Sequence, residues 1–590
     1  MLRSKGAVWL CRPYNTRNTT MSNANVNAIL DPRGTQEQPS LKLAPRASMD
    51  QLKKGPVLIY DNTKFGFVEY MEVVHRIKHN FAADGVTNVV EYRETVRGKD
   101  NQTLIDFASW LKSEFKPAAV ILGLGDMGTS PATAIITIAL EELGIPSLYI
   151  TAPPGSDLVK GVVHYRAGQL CLTSVDMYQG NTVEEIDQKV DDLMPEIYQA
   201  LTGTPEQMKA RANVQFELDG DQPDGIIKAT NSIDFDTLDA SEPAAGIEEI
   251  NDLFNELKIS DGLPIIPPTQ ARFGKMMGYC PYDPNMVLAE AIGPSGKNIT
   301  VRDVAVAAIM AGCKPQAMPI LVASFQAMSD RRYNFLQSVT TSHPGGNMLI
   351  ASGPLAAEIG MHGRAGCIGP GFAANATIGR AINLVLINTC RSVPGYSDLA
   401  CISSQAELTY AFSEDSELTP WQSISEERYD AETSTVFMLK AEPPHDIIDF
   451  LSMTAGDLLD GIVDSCTTLG SNNSFMPGPL VVVCTRDHAW LLHRDGFTKD
   501  MVREHIHKNA SHPTPMVRGR GLVPVRPKSF ANRHPMPVTR EPKDVEIIVA
   551  GGRGGHSAVI LPWALHSESI VLPVLLPDGS KPKSIEDFRS

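Results

Sequence analysis

Residues 118–154 read AAVILGLGDMGTSPATAIITIALEELGIPSLYITAPP. An apolar run meets Gly123, Gly125 and Gly128, a helix-spaced pattern follows, and a second apolar run closes the stretch. Strand, glycine turn, helix, strand is the unit from which a parallel sheet is built, because parallel neighbours need a crossover long enough to hold a helix. The flanks carry the pattern outward. GPVLIYDNT (55–63) and VTNVVEYRET (86–95) are apolar runs ended by turn formers, with FVEYMEVVHRIKHNFAADG (67–85) helical between them. NQTLIDFASWLKSEF (101–115) puts Leu104, Phe107, Leu111 and Phe115 on one helix face. Sites in such sheets lie outside the carboxyl ends of the strands, which singles out Asp61–Lys64 and Gly123–Pro131.

The expected fold is α/β: an N-terminal Rossmann-like parallel sheet followed by a larger mixed α/β domain. Residues 1–50 read as a disordered N-terminal segment, 51–180 as the Rossmann-like unit, 181–245 as a helix and linker, 246–575 as the larger unit and 576–590 as a tail. TVEEIDQKVDDLMPEIYQALTG (182–203) is the helix, and 204–245 is dominated by Gly, Pro, Asp and Ala. In the larger unit, VRDVAVAAIMAG, PQAMPILVASFQAMS and ATIGRAINLVLINTC mix with strands STVFMLK and GPLVVVCT around helical DIIDFLSMTAGDLLDGIV. The end, DVEIIVAGGRGGHSAVILPWA (544–564), repeats strand and glycine turn.

With a net charge of -16, the 590-residue chain is a poor candidate for binding nucleic acid or an anionic membrane. Nine cysteines without a CxxC or CxxxC pair argue against a disulfide framework or a thiolate zinc knuckle. No apolar stretch reaches the ~18 residues of a membrane span. The first thirty residues carry Arg3, Lys5, Arg12 and Arg17 and no acid, the composition of a mitochondrial transit peptide or of a loose tail. The reading is a cytoplasmic protein, mitochondrial if that segment is a leader, with a homo-oligomeric assembly expected.

Gly123, Gly125 and Gly128 match GxGxxG in letters, but Asp126 would repel a pyrophosphate and no ribose-binding acid follows about twenty residues on. No nucleotide cofactor is expected. The alternative is that Thr129 and Ser130 cap a helix at Pro131, whose free N–H groups favour an anion, with Asp126 as an acid–base group beside it. The plainer account is that these residues order the turn.

With those residues in view, the N-terminal unit resembles the UGSC-like domain family over roughly residues 55–175. The family is named for a short selenocysteine- or cysteine-containing motif after a strand and is remotely similar to the substrate-reducing selenoprotein subunit of glycine reductase. The corresponding place here is Met127-Gly128-Thr129-Ser130, with Met127 and Ser130 at the two redox positions. The resemblance implies a small-molecule pocket, and the substitutions remove thiol or selenol chemistry from it. DGLPIIPPT (261–269), AGCKPQAMP (311–319), SHP (342–344) and GPGFAANATIGRAINLVL (369–386) resemble the C-terminal part of long two-domain members of that group.

Cys313, beside Lys314, is a candidate nucleophile, with His343 in TTSHPGGN as its candidate base; a buried core cysteine is the plainer account. In the glycine-dense segment around Cys367, Gly369 and Gly371 offer backbone amides, Asn375 a helix cap, and Arg380 a guanidinium for a carboxylate or phosphate. Equally, Arg380 could pair with a local acid. AGGRGGHSAV (550–559) offers Gly552, Arg553 and Gly554 to an anion and His556 as a general acid or base, while Ser557 lacks a GxSxG context. His75 and His79, and His505, His507 and His512, do not complete a metal-ligand pattern, so no metal is expected. The function this supports is a metabolic enzyme acting on a small polar or anionic substrate by lyase- or hydrolase-type acid–base chemistry. Two alternatives stand beside it: a non-catalytic pseudoenzyme or structural subunit, and a thiol-dependent reductase.

Overall fold

The computed structural model describes residues 29–34, 39–62, 68–94, 96, 99–124, 129–152, 155–176, 181–204, 206–208, 226–227, 243–290, 293–517, 535–564 and 567–590. Five strands form the first sheet: β1 Val57–Asp61, β2 Val89–Arg93, β3 Ala119–Gly123, β4 Ser147–Thr151 and β5 Leu172–Ser174. They lie in the order β2-β1-β3-β4-β5 and all neighbours are parallel. The intervening helices are α1 Val68–Ala83, α2 Asn101–Phe115, α3 Ser130–Glu142 and α4 Gly155–Arg166, and α5 Val183–Thr202 follows β5.

Strand alternation explains the two cores. Val57, Ile59, Ala119 and Ile121 face α1 and α5, whereas Leu58, Tyr60, Val120 and Leu122 face α2, α3 and α4. This is a doubly wound sheet whose strand order reverses between β1 and β3. Helix α3 is buried from Ser130 to Glu141, as expected of a helix apolar on all sides. Near its end, the Glu141 carboxylate accepts the N–H groups of Ala44 and Ser147 (2.7 Å each) and pairs with Arg46.

The larger unit holds two four-stranded sheets. One contains β6 Gly346–Ser352, β7 Ala411–Ser413, β8 Thr435–Ala441 and, from the chain's end, the strand Ile570–Pro573; its order is β7-β6-β8 and then that last strand. The other contains β9 His445–Ile448, β10 Leu480–Cys484, β11 Val545–Val549 and β12 His556–Ile560 in the order β9-β12-β10-β11. The sheets pack face to face through Met348, Ile350, Phe437, Val481, Val483 and Ile548. The alternate residues Leu349, Ala351, Val436 and Met438 point outward to α6 Val301–Ala311, α7 Met318–Met328 and α8 Ala373–Asn388. Likewise Leu480, Val482, Ile547 and Val559 point to α9 Ala455–Cys466, α10 Arg486–Arg494 and α11 Lys499–Asn509. The result is four layers, helix–sheet–sheet–helix, in which the central strands β6, β8 and β10 are buried on both faces.

The expected Rossmann-like sheet and larger mixed α/β unit are therefore both present. The domain boundaries run through packed segments. Ile186, Val190 and Ile197 of α5 lie in the first unit's core, and Ile585 and Phe588 near the chain's end lie in the larger unit's core. Ile29–Arg33, within the segment expected to be loose, is buried, with Leu30 N–H donating to Pro268 O. The run DII, expected to be helical, is strand β9; its helix begins at Ala455, capped by Thr454.

Candidate active site

The parallel pairs β6–β7 and β10–β11 end close together. The N–H of Asp415, just past β7, donates to Val549 O at the end of β11 (2.8 Å). The chain then turns through Ala550–Gly555 into β12. Gly551 (φ 96°) and Gly554 (φ 122°) occupy left-handed backbone space. Gly555 is needed for closeness: a Cβ there would lie 2.2 Å from Asp449 O. The turn thus seats against the loop after β9, and Asp449 N–H donates to Gly555 O (2.8 Å).

Between this turn, that loop and the start of α10 lies a cleft of about 270 Å³, lined by Asp449, Phe450, Asp487, His488, Leu491 and Gly554. His556, one residue beyond the lining Gly555, packs its ring edge-on to Phe450 of the cleft wall, centroids 5.2 Å apart. Its Nδ1 is 3.0 Å from both carboxylate oxygens of Asp446 on the neighbouring strand. A carboxylate accepts, so Nδ1 carries a proton, and the neutral form held this way would leave the lone pair on Nε2. No hydrogen bond reaches Nε2 from the described residues. A half-exposed imidazole in this tautomer, oriented by an acid, is equipped to take a proton.

His488 is arranged differently. Its Nε2 lies 2.8 Å from Asp449 O and its Nδ1 2.7 Å from Ser557 Oγ. The carbonyl can only accept, so Nε2 is protonated and Ser557 donates to Nδ1, while Ser557 Oγ accepts Thr485 N–H (3.0 Å). Both nitrogens are engaged, and this buried knot fixes the start of α10 against β12. Around the cleft, Asp487 accepts Gly554 N–H (2.8 Å) and faces Arg553 Nε at 3.5 Å; Arg553 is 80% exposed. The Ser452 hydroxyl, with the N–H groups of Ser452 and Leu451, holds the Asp449 carboxyl below its usual range against the opposing effect of burial.

The two glycine-rich segments touch. Gly551 N–H donates to Gly363 O (2.8 Å), and a Cβ on Gly552 would come within 3.0 Å of Ala365 Cβ. The groups expected to hold an anion lie elsewhere on the first segment. Asn375 sits inside α8, whose N-cap is Phe372; its amide accepts His362 N–H and donates to the carbonyls of His362 and Cys367, each at 2.9 Å. It pins the glycine loop rather than capping the helix. Gly369 N–H closes a turn on Gly366 O, and Gly371 has φ 107°. Arg380 makes a two-pronged pair with Asp261 (2.7 and 2.8 Å) and donates to Leu263 O.

Cys313 and His343 make no contact with each other. Cys313 packs beside Thr377 and Arg380, and burial pushes its thiol up to about 12. His343 Nε2 meets Glu442 at 3.0 Å and its Nδ1 accepts Gly345 N–H. At the first sheet's strand-order reversal, Asp61 is bound by Arg93 Nε (2.7 Å), and buried Asn62 bonds to Val96 and Thr133. Thr129 and Ser130 are buried at the start of α3, where Thr129 makes no side-chain cap bond. Gly125, Asp126, Met127 and Gly128 lie outside the described residues.

His505 and His507 fall on α11, whose geometry turns residues two apart to different faces; His507 bonds to Thr539 and His512 to Ser474. Among the described residues no group of three His, Cys, Asp or Glu side chains could hold a metal, and no helix is long and apolar enough to cross a membrane. Sequence reasoning missed Asp446, which needs the β9–β12 register to be seen, and the Ser557–His488 contact, made by residues 69 apart in the chain. No family model matches the chain, and neither a curated protein nor a solved structure matches it.

Proposed function

We propose that the chain is an enzyme of small-molecule metabolism in which His556 moves a proton to or from a substrate seated in the cleft, in lyase- or hydrolase-type chemistry. The observation that carries this is the His556–Asp446 pair beside Phe450 of the cleft wall, with Nε2 of the imidazole making no hydrogen bond to a described residue. Asp446 fixes the tautomer and stabilises the imidazolium once the proton is taken. The broader α/β architecture, with a Rossmann-like sheet, is of a kind that hosts many enzymes, which raises the prior without naming a reaction.

Of the polar and anionic substrates expected from sequence, the polar class fits the cleft better. Asp449 and Asp487 line it and Asp446 holds the neighbouring His556, while exposed Arg553 faces Asp487. Ile448, Phe450, Leu451 and Met453 are exposed on the adjoining loop, which favours a substrate with an apolar part. The UGSC-like resemblance supports a second small-molecule pocket in the first unit, without thiol chemistry. The thiol-reductase alternative is disfavoured by the burial that raises the thiols of Cys313 and Cys367 to about 12 and about 11. To test the proposal, parent protein and His556→Asn are incubated with a fractionated metabolite extract and depletion is followed by mass spectrometry. A polar compound consumed by the parent and spared roughly ten- to thousandfold by the variant is expected. Equal consumption by a correctly folded variant overturns the assignment.

A further inference from the structure

On the opposite end of the first four-stranded sheet, Lys440 of β8 points toward the helical layer and is buried, its side chain 4% exposed. Its ammonium nitrogen makes no hydrogen bond to any described residue. The nearest carboxylate oxygen is Glu407 Oε1 at 4.0 Å, which is itself buried and without a hydrogen-bond partner. Two opposite charges therefore face each other just beyond bonding distance. A pair serving stability alone would close up, since an uncompensated buried ion costs several kcal/mol and buried polar atoms nearly always find partners.

A third group, Asp398, acts on the same lysine. Directly across the ladder from Lys440 stands Asn347, whose amide oxygen accepts the Tyr333 hydroxyl (2.6 Å). The cover over the cluster is the segment Asp398–Glu407. It is tied at Cys401 N–H to Ser342 O and at Ser404 Oγ to Pro344 O. Its tip is strained and outward: Ser403 has φ 62° and Ile402 is 88% exposed. Among the described residues, Lys440, Glu407 and Asp398 thus form a cluster of titratable groups beside a strained, half-buried segment.

We propose that Lys440 is a covalent attachment site, forming an imine with a small uncharged aldehyde or ketone that enters under the 398–407 cover. Burial lowers the lysine's proton affinity, which favours the neutral, nucleophilic amine, and raises Asp398 to about 6, so that it can carry a proton near neutrality. The Nζ lone pair adds to the carbonyl carbon, and the nitrogen's proton passes to the oxygen, giving a neutral carbinolamine. Asp398, as the acid, then protonates that hydroxyl. Water leaves, the C=N bond forms, and an iminium cation remains beside the Asp398 carboxylate. An uncharged carbonyl compound is favoured over an oxo acid because Asp398 and Glu407 would repel a second carboxylate.

This site is separate from the His556 cleft and does not rest on its assignment. The folded chain is incubated at neutral pH with cyanoborohydride and either acetaldehyde or, as the anionic comparison, pyruvate, and the ethyl or carboxyethyl adduct on each lysine is followed by peptide mass spectrometry. Lys440 is expected to be ethylated at least tenfold faster than exposed lysines such as Lys543 and Lys78, and to prefer acetaldehyde to pyruvate. Asp398→Asn is expected to slow labelling of Lys440 severalfold while leaving exposed lysines unchanged and the melting temperature at neutral pH no lower than the parent's. Labelling of Lys440 no faster than that of the exposed lysines overturns the proposal and leaves the cluster a structural one. Unchanged labelling in Asp398→Asn overturns the role of Asp398 as the acid.

Discussion

Replacing Arg380 tests whether the most promising guanidinium in the sequence serves a ligand or the fold. Its two prongs meet Asp261 at 2.7 and 2.8 Å, and the side chains are only 14% and 4% exposed. Asp261 also accepts Leu263 N–H, so the pair ties α8 to the segment that leads Ile265 into the core. Arg380→Ala leaves a carboxylate almost wholly out of water with no cation. Such a loss costs about 3–5 kcal/mol, and the residual exposure of Arg380 favours the lower figure. For a unit of about 340 residues, an unfolding entropy of ~2.1 cal/mol/K per residue gives ~0.7 kcal/mol/K, so about 3 kcal/mol lowers the melting temperature by about 4 °C. Arg380→Lys keeps the charge but loses the fork, and should cost about 1–2 kcal/mol. Arg380→Met combined with Asp261→Asn should recover most of the loss, because no uncompensated charge remains. The assay is differential scanning calorimetry on Arg380→Ala, Arg380→Lys and the full cycle of parent, Arg380→Met, Asp261→Asn and their combination. An Arg380→Ala variant melting within about 1 °C of the parent, with no coupling in the cycle, refutes the structural role and returns Arg380 to ligand binding.

Four further outcomes are expected. Asp446→Asn should lower turnover in the same direction as His556→Asn but less steeply, since the imidazole remains while its orientation is lost; kinetics on the substrate found by depletion reads this. Diethylpyrocarbonate should modify His556 well before His488 or His343, whose ring nitrogens are both engaged, as read by peptide mapping. Iodoacetamide at pH 7.5 should alkylate Cys401, the exposed cysteine among those described, and leave Cys313 and Cys367 intact with turnover unchanged. Asp398, raised to about 6 by burial, binds its proton more tightly folded than unfolded. Its contribution is complete below about pH 4 and is lost as pH rises through about 6, at most ~3 kcal/mol, so Asp398→Asn should flatten the fall in stability between pH 4 and pH 8 in urea titrations.

The first sheet was legible because its signals are local. Each strand is a short apolar run closed by turn formers, each crossover a helix of one clear period, and parallel pairing follows from their alternation. The larger unit was less so. Its central strands are apolar on both faces, buried between a second sheet and a helical layer, so STVFMLK and GPLVVVCT carry no alternation that says which face meets which layer. DII was absorbed into a helical reading because it runs on into an amphipathic segment; only pairing with His556–Val559 makes it a strand. Helix α5 looked like the lead into a linker because nothing local reveals that Ile186, Val190 and Ile197 have a sheet to cover.

The same distinction explains which site residues sequence could nominate. Glycine density pointed to the two segments that do touch, at Gly363 and Gly551, because backbone approach is written in the residue type itself. What a charged or titratable side chain does is written in its partner, and the partners here are remote: Asp261 lies 119 residues from Arg380, Glu442 lies 99 from His343, and Asp446 lies 110 from His556. The three histidines show why this matters. His343 and His488 have both ring nitrogens engaged by protein groups: a second proton on His343 would displace the Gly345 N–H bond, and one on His488 would reverse the Ser557 hydroxyl. His556 alone of the three has one nitrogen bound to an acid and the other open. Chemistry at neutral pH needs a group whose proton can leave without loosening the structure, and among these three that requirement selects His556.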